Sequence, residues 1–160
     1  MAARERTAQL SVLDRLIDEN PRMRDDPPRT ESDSVRAVKR SLLRDLEWLL
    51  NTRQIHHPVP EGLKELENSV FRYGLPDLTS MSGGSDVVRM ALVRSLEEEL
   101  RLFEPRLVGV HVSVAESKEA DDRSLRFVVE GLLRMDPEPE RVVFDTVLEA
   151  GTGQFSIRSD

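Results

Sequence analysis

The chain of 160 residues contains no cysteine, which excludes disulfide bridges, thiolate zinc sites and cysteine nucleophiles. A metal ion could bind only through histidine, aspartate or glutamate. No run approaches the roughly 18 apolar residues that span a bilayer, and the segment from Met1 to Arg6 lacks the apolar core of a signal peptide. These absences predict a cytoplasmic protein without direct membrane insertion.

Lysine is scarce, and the positive charge is not clustered. The chain has 23 Lys and Arg against 30 Asp and Glu, a net charge of −7. Residues 1–53 contain 11 basic and 10 acidic residues, a balance of +1, and residues 54–160 contain 12 and 20, a balance of −8. Phosphate binding needs clustered basic side chains. We therefore expect no nucleic acid among the partners.

The motifs of common enzyme chemistries are also missing. The sequence has no Gly-x-Ser-x-Gly elbow, no phosphate-binding loop with its lysine and no His-Glu-x-x-His helix. His56 and His57 are adjacent, which is the wrong spacing for a helical metal pair. Glu47, beside Trp48, is the one candidate for a glycosidase acid, and it would need an apolar pocket. The sequence favours a binding or assembly protein without cofactors, and a peptidoglycan glycosidase using Glu47 is the alternative.

Helical spacing of apolar residues predicts a long helix from about Ser34 to Thr52, capped by Asp33 or Ser34. Its apolar face consists of Val35, Val38, Leu42, Leu46, Leu49 and Leu50. A second helix is predicted from about Asp86 to Phe103, with Ser85 as its cap. Its apolar face consists of Val88, Leu92, Leu96, Leu100 and Phe103. Most of Glu97, Glu98 and Glu99 should face solvent.

Two weaker helical patterns flank the long helix. An apolar island within Leu10–Ile17 predicts a helical turn or two, from about Ser11 to Glu19, which either packs on the domain or docks on a partner. A polar linker runs from Asp25 to Asp33. A shorter helix is predicted from Glu61 to Val70, with its apolar face at Leu63, Leu66 and Val70. Residues 1–33 are thus expected to form a partly flexible arm and linker, and residues 34–160 the domain.

From Leu107 the apolar period changes from helical to two, which predicts β-strands. The inward-facing residues of three strands are expected to be Val108, Val110, Val112 and Val114, then Leu125, Phe127, Val129, Gly131, Leu133 and Met135, then Val142, Phe144, Thr146 and Leu148. A last short strand runs from Phe155 to Ile157. Consecutive strands with short turns form an antiparallel meander. The predicted class is α+β, with two or three helices packed on one face of the meander.

Three literal strings occur in order along the chain. They are Leu46-Glu47-Trp48-Leu49-Leu50-Asn51-Thr52-Arg53, Tyr73-Gly74-Leu75-Pro76-Asp77 and Phe103-Glu104-Pro105-Arg106-Leu107. Together they closely resemble the TssE family of type VI secretion baseplate subunits, relatives of the small wedge protein of contractile-phage baseplates. The island Leu13-Asp14-Arg15-Leu16 is also similar to that family.

The resemblance implies a non-enzymatic subunit that links the baseplate wedge to the contractile sheath and helps to start sheath polymerisation. It implies the wedge partners TssF, TssG and TssK and the sheath partners TssB and TssC, at the cytoplasmic side of the bacterial inner membrane. The expected interface residues are Glu47, Trp48, Asn51, Arg53, Glu104, Pro105, Arg106, Phe155 and Ile157. The last strand, as a sheet edge, can accept a partner strand. Glu104 and Arg106 either pair across an interface or only brace their own turn.

Overall fold

The computed structural model describes residues 10–17, 21–22, 30–77, 86–115, 124–136, 138–149 and 151–159. The helices in these ranges are α1 (Val12–Leu16), α2 (Glu31–Asn51) and α3 (Asp86–Phe103). The strands are β1 (Leu107–Ala115), β2 (Ser124–Leu133), β3 (Glu140–Glu149) and β4 (Gln154–Ser159). They form one antiparallel sheet in the order β1-β2-β3-β4. The predicted α+β class and the meander are confirmed.

The start of α2 differs from the prediction, whereas α3 has the predicted bounds. Helix α2 begins at Glu31 because Thr30, not Asp33 or Ser34, is its cap. The Thr30 hydroxyl accepts the N–H of Asp33, and the Asp33 carboxylate accepts the N–H of Thr30. This reciprocal pair is a capping box. The predicted cap Ser85 and residues 25–29 of the linker lie outside the described residues.

One apolar core lies between the sheet and helices α2 and α3, with α3 against β1 and α2 against β4. The buried face of α2 consists of Val38, Leu42, Leu46, Leu49 and Leu50. Alternate residues of the two central strands point into the same core: Phe127, Val129, Leu133, Val142, Phe144, Thr146 and Leu148. Both helices therefore cover the same face of the sheet, as the alternation predicted.

Strand β1 departs from strict alternation at a bulge. Its pairing with β2 shifts register between Val108 and His111, and Gly109 has a φ of +63°. An extra residue at a bulge moves the side chains that follow it to the opposite face. Leu107 therefore shares the core with Val110, whereas Val108 is only half-buried. The predicted alternation is wrong at the start of this strand.

The predicted helix from Glu61 to Val70 is wrong. Lys64–Asn68 and Val70–Arg72 are two short 3-10 helices, separated by Ser69 in an extended conformation. The Ser69 hydroxyl accepts the N–H of Phe71 and caps the second turn, so side-chain hydrogen bonding replaces the continued helix. Val70 consequently points outward and is 83% exposed.

The N-terminal island forms α1, which is shorter than the predicted Ser11–Glu19 segment. It is held by a polar contact, because the Asp14 carboxylate accepts hydrogen bonds from the Ser41 hydroxyl and, at 2.7 Å, from Arg44 Nη2. Its apolar side chains, by contrast, are exposed, and Leu16 is among them. Of the two alternatives for this island, packing on the domain is therefore observed, through Asp14.

The connector after the 3-10 helices returns to the end of α2. The N–H of Leu75 donates to the Thr52 carbonyl at 2.8 Å, and the N–H of Gln54 donates to the Leu75 carbonyl at 2.9 Å. Gly74 makes this approach feasible, since it has a φ of +107° and a Cβ at its position would lie 2.4 Å from the Thr52 carbonyl oxygen. Only glycine fits there without movement of the backbone.

We expect Gly74→Ala to lower the free energy of unfolding by at least about 2 kcal/mol, because the substitution adds a backbone clash to an unfavourable φ. Gly62→Ala is the matched control, since Gly62 has a φ of +88° with no atom within 4 Å of the added Cβ. It should cost only about 1 kcal/mol. Urea unfolding followed by circular dichroism measures both, and equal losses would contradict the role assigned to the close approach.

The pKa of Asp14 makes the docking of α1 sensitive to acid. Burial alone would raise this pKa, but hydrogen bonds from Ser11, Ser41 and Arg44 and the charge of Arg44 lower it from 3.8 to about 2. The stabilisation is therefore complete above about pH 4 and is lost as the pH falls through about 2.

We expect Asp14→Asn to increase amide hydrogen exchange in α1 at neutral pH, measured against the wild-type chain. The difference between the two proteins should shrink as the pH falls through about 2 and disappear below it, where Asp14 is also neutral. A difference that persisted unchanged in acid would show that the charge of Asp14 does not hold the helix.

Candidate functional site

The three strings meet in one continuous region of the structure. The second string joins the end of the first through the bridge between Arg53 and Leu75. It joins the third string through Tyr73 and Phe103, whose rings are edge to face with centroids 5.2 Å apart. Segments far apart in the sequence thus form one structural unit beside the core.

Arg106 is the centre of this unit. Its Nε donates to Glu104 Oε1 at 2.7 Å, and its backbone N–H donates to the same oxygen at 3.2 Å. Its Nη2 donates to Asp45 Oδ2 at 2.6 Å and also to Glu104, while Nη1 donates to Ser41 Oγ at 3.1 Å. The hydrogen bonds with Glu104 raise the pKa of Arg106 against the opposing effect of burial. The guanidinium therefore ties the α3–β1 junction to α2.

The contacts of Arg106 continue into a charge network, which consists of Asp14, Ser41, Arg44, Asp45, Glu104 and Arg106. Arg44 Nη2 lies 2.8 Å from Asp45 Oδ1 and 2.7 Å from Asp14 Oδ1. Ser41 accepts from Arg106 and donates to Asp14, so it joins both ends. Acidic and basic side chains alternate through the network. Asp14, Asp45 and Glu104 each have an arginine partner, as carboxylates removed from water require.

Sequence reasoning did not select Ser41, Asp45 or Asp14 for this site. The sequence did contain a signal for Ser41 and Asp45, because each directly precedes a leucine of the apolar face of α2. Ser41 precedes Leu42 and Asp45 precedes Leu46, and both leucines are buried. A polar residue beside a core position needs a partner within the protein. The signal predicts that a partner exists but does not identify it.

The residues of Glu104-Pro105-Arg106 differ in their surroundings. Glu104 is 4% exposed, the Arg106 side chain is 21% exposed, and Pro105 is exposed. Of the two predicted alternatives, the local brace is present, and Asp45 extends it. A contact of these three residues with a partner stays a prediction, and Pro105 is the accessible member.

Glu47 and Trp48 on the outer side of α2, and Arg53 two residues beyond its end, are all at the surface. Trp48 is 51% exposed, with the Arg44 guanidinium 4.9 Å above its ring. Glu47 is on this exposed helix surface, so the apolar pocket that a glycosidase acid requires is not formed around it. The predicted contact of these residues with a partner is compatible with their exposure and stays a prediction.

Asn51, the last residue of α2, binds the backbone of β4. Its Oδ1 accepts the N–H of Phe155 at 2.8 Å, and its Nδ2 donates to the Phe155 carbonyl at 3.0 Å. The Phe155 side chain is 1% exposed and belongs to the core, whereas Ile157 is half-buried. A cleft of about 30 Å³ beside Asn51 has room for about one water molecule. What β4 can offer a partner is therefore mainly its backbone.

The opposite edge of the sheet, β1, is covered by side chains of α3. Glu97 Oε1 accepts the N–H of Val112 at 2.9 Å, and this hydrogen bond lowers the pKa of Glu97. Arg101 Nη2 donates to the Val110 carbonyl at 3.2 Å and to Glu97 at 3.0 Å. The spacing of Glu97 and Arg101, four residues apart, was the available signal. The expectation that most of Glu97, Glu98 and Glu99 face solvent is wrong. Glu97 is half-buried against β1, Glu99 is buried with 4% exposure, and of the three only Glu98 is exposed.

The residues that the structure describes contain no group of three or more His, Asp or Glu side chains that could hold a metal ion. In the same ranges, no helix combines the length and the apolar character needed to span a bilayer. His56 and His57 are exposed in a loop, as predicted.

We expect Arg106→Met to lower the free energy of unfolding by about 3 kcal/mol, because Glu104 and Asp45 would lose the cation that compensates their burial. Arg141→Met is the control, since Arg141 forms an exposed pair with Glu130 and its side chain is 70% exposed. It should cost less than about 1 kcal/mol in urea unfolding. Similar losses in the two variants would contradict the structural importance of Arg106.

Comparison with known proteins places these strings in a family. The family model described as "Baseplate wedge protein gp25" matches residues 36–138. A chain of the solved structure "The baseplate complex from the type VI secretion system" is 21% identical, with a TM-score of 0.47, and the match covers 78% of this chain and 94% of that chain. No curated protein matches this chain. The family match includes all three strings and confirms the resemblance: the chain belongs to the baseplate wedge protein gp25 family of structural baseplate components.

Proposed function

We propose that this chain is the TssE-type subunit of a type VI secretion baseplate wedge. In this proposal it is a structural, non-enzymatic protein at the cytoplasmic side of the bacterial inner membrane. It contacts TssF, TssG and TssK within the wedge and presents an edge strand to the sheath subunits TssB and TssC. The family match and the resemblance of the three strings support this assignment.

The observation that carries the link to the sheath is the orientation of the β4 backbone. Both backbone groups of Phe155 bind Asn51, so they point away from β3. In antiparallel pairing, residues whose groups point outward alternate with residues whose groups bind the neighbouring strand. Ile157, two residues along and paired with Thr146, therefore directs its N–H and C=O to the outer edge. A partner strand can bind these groups through main-chain hydrogen bonds.

The other edge supports the same proposal because side chains of α3 already bind two of its outward backbone groups. Glu97 and Arg101 occupy the N–H of Val112 and the carbonyl of Val110, which face outward from β1. A strand that added to β1 would have to displace both side chains. The sheet thus favours addition at β4, which suits a subunit on which a polymer starts in one direction.

We expect Ile157→Pro to weaken the capture of sheath subunits by about tenfold or more, because proline removes the outward N–H and cannot pair with an added strand. Pairing with β3 should survive, since that N–H is not used there. Ile157→Val is the matched control, which shortens the side chain but keeps the N–H. Co-purification of TssB and TssC with the assembled baseplate measures the effect, and circular dichroism checks the fold. Equal capture by two folded variants would contradict docking at β4.

A further inference from the structure

We propose that Asn51 fixes the register at which a partner strand adds to β4. This inference rests on the proposed docking of a sheath subunit at this edge. It concerns which residues of β4 remain available, and it identifies one side chain as the element that decides this.

The amide of Asn51 makes the hydrogen bonds that a residue of an additional strand would make. In a hydrogen-bonded antiparallel pair, each residue donates its N–H to the other and accepts in return. Asn51 does the same with Phe155, accepting at 2.8 Å and donating at 3.0 Å. The side-chain amide therefore occupies the place of one residue of the incoming strand.

Further hydrogen bonds hold the Asn51 amide in place. Asn51 Nδ2 also donates to the Glu47 carbonyl at 2.9 Å, one helical turn earlier. The next residue, Thr52, donates its hydroxyl to the Trp48 carbonyl at 2.6 Å and accepts the N–H of Leu75. The end of α2 is thus held by hydrogen bonds on both sides of Asn51, and the amide is a fixed neighbour of Phe155.

The partner strand can consequently pair with Ile157 but not with Phe155. Its chain must end or turn away within two residues of its pairing position, because Asn51 occupies the next one. The geometry therefore fits an extended segment that pairs at Ile157 and ends or turns away before it reaches Asn51.

Disulfide mapping in the assembled baseplate–sheath complex can test this register. The chain has no cysteine, so Ser156→Cys introduces a unique thiol on the outward face of β4. Single cysteines are placed at successive positions in the terminal segments of TssB and TssC. Cysteines in directly opposed positions of neighbouring strands are close enough to form a disulfide. With Asn51 present, we expect one partner position to dominate the cross-linked product.

Asn51→Ala should add a second cross-linked position two residues away, because Phe155 becomes available and strand registers of the same facing differ by two. Asn51→Asp provides a less disruptive variant, since its carboxylate still accepts the Phe155 N–H but leaves the carbonyl unbound. It should give a smaller amount of the same second product. Glu47→Ala, on the same surface, should leave the position unchanged. Circular dichroism and amide exchange in the central strands β2 and β3, which do not contact Asn51 through their backbone, establish that the variants are folded.

The outcomes separate the two proposals. A single, unchanged position in folded Asn51→Ala and Asn51→Asp proteins overturns the register role but leaves docking at β4 intact. Absence of cross-links at every position, with Asn51 unaltered, overturns docking at β4 and the register role with it. A second position two residues away in both Asn51 variants, and not in Glu47→Ala, supports the register role.

Discussion

The packing of this protein depends on the guanidinium of Arg106. It binds Glu104 in its own turn, Asp45 on α2 and Ser41, which continues to Asp14 of α1. The planar, permanently charged side chain with five donors suits this set of partners, and lysine could not reproduce the geometry. Glu104 can remain 4% exposed only because that cation compensates its charge. One side chain thus links α1, α2 and the α3–β1 junction.

Helix α2 connects the contacts of Arg106 to the β4 edge of the sheet. Asp45 fixes the middle of α2 against Arg106, and Asn51 follows less than two helical turns later at the contact with Phe155. The connector binds the residues just beyond the helix through Leu75. The position of Asn51 relative to β4 is therefore determined by contacts at both ends of a short, rigid segment. This accounts for why three separate strings of the sequence form a single structural unit.

Apolar periodicity predicted the elements that have one buried face and one exposed face. Helix α3 and the alternation of β2 and β3 follow from apolar spacing, because the core is on one side of each. The pattern could not predict the cap at Thr30, the bulge at Gly109 or the break at Ser69, where local hydrogen bonds or backbone geometry override it. The pairing of charged residues is tertiary in origin, since Arg106 and Asp45 are far apart in the sequence. The strings therefore predicted the family, but not which side chains pair within the chain.

Residues that hold the fold and residues that receive a partner need not be the same, even within one string. The charged groups of Glu104 and Arg106 and the amide of Asn51 are already satisfied within the chain. A partner that recruited them would first have to break these hydrogen bonds, at a cost comparable to the bonds it gained. Main-chain groups on the outer edge of β4 carry no such cost, and an edge that is already ordered loses little conformational entropy on binding. In the proposed docking at β4, the charge network would therefore contribute to assembly chiefly by positioning that edge, rather than by direct contact.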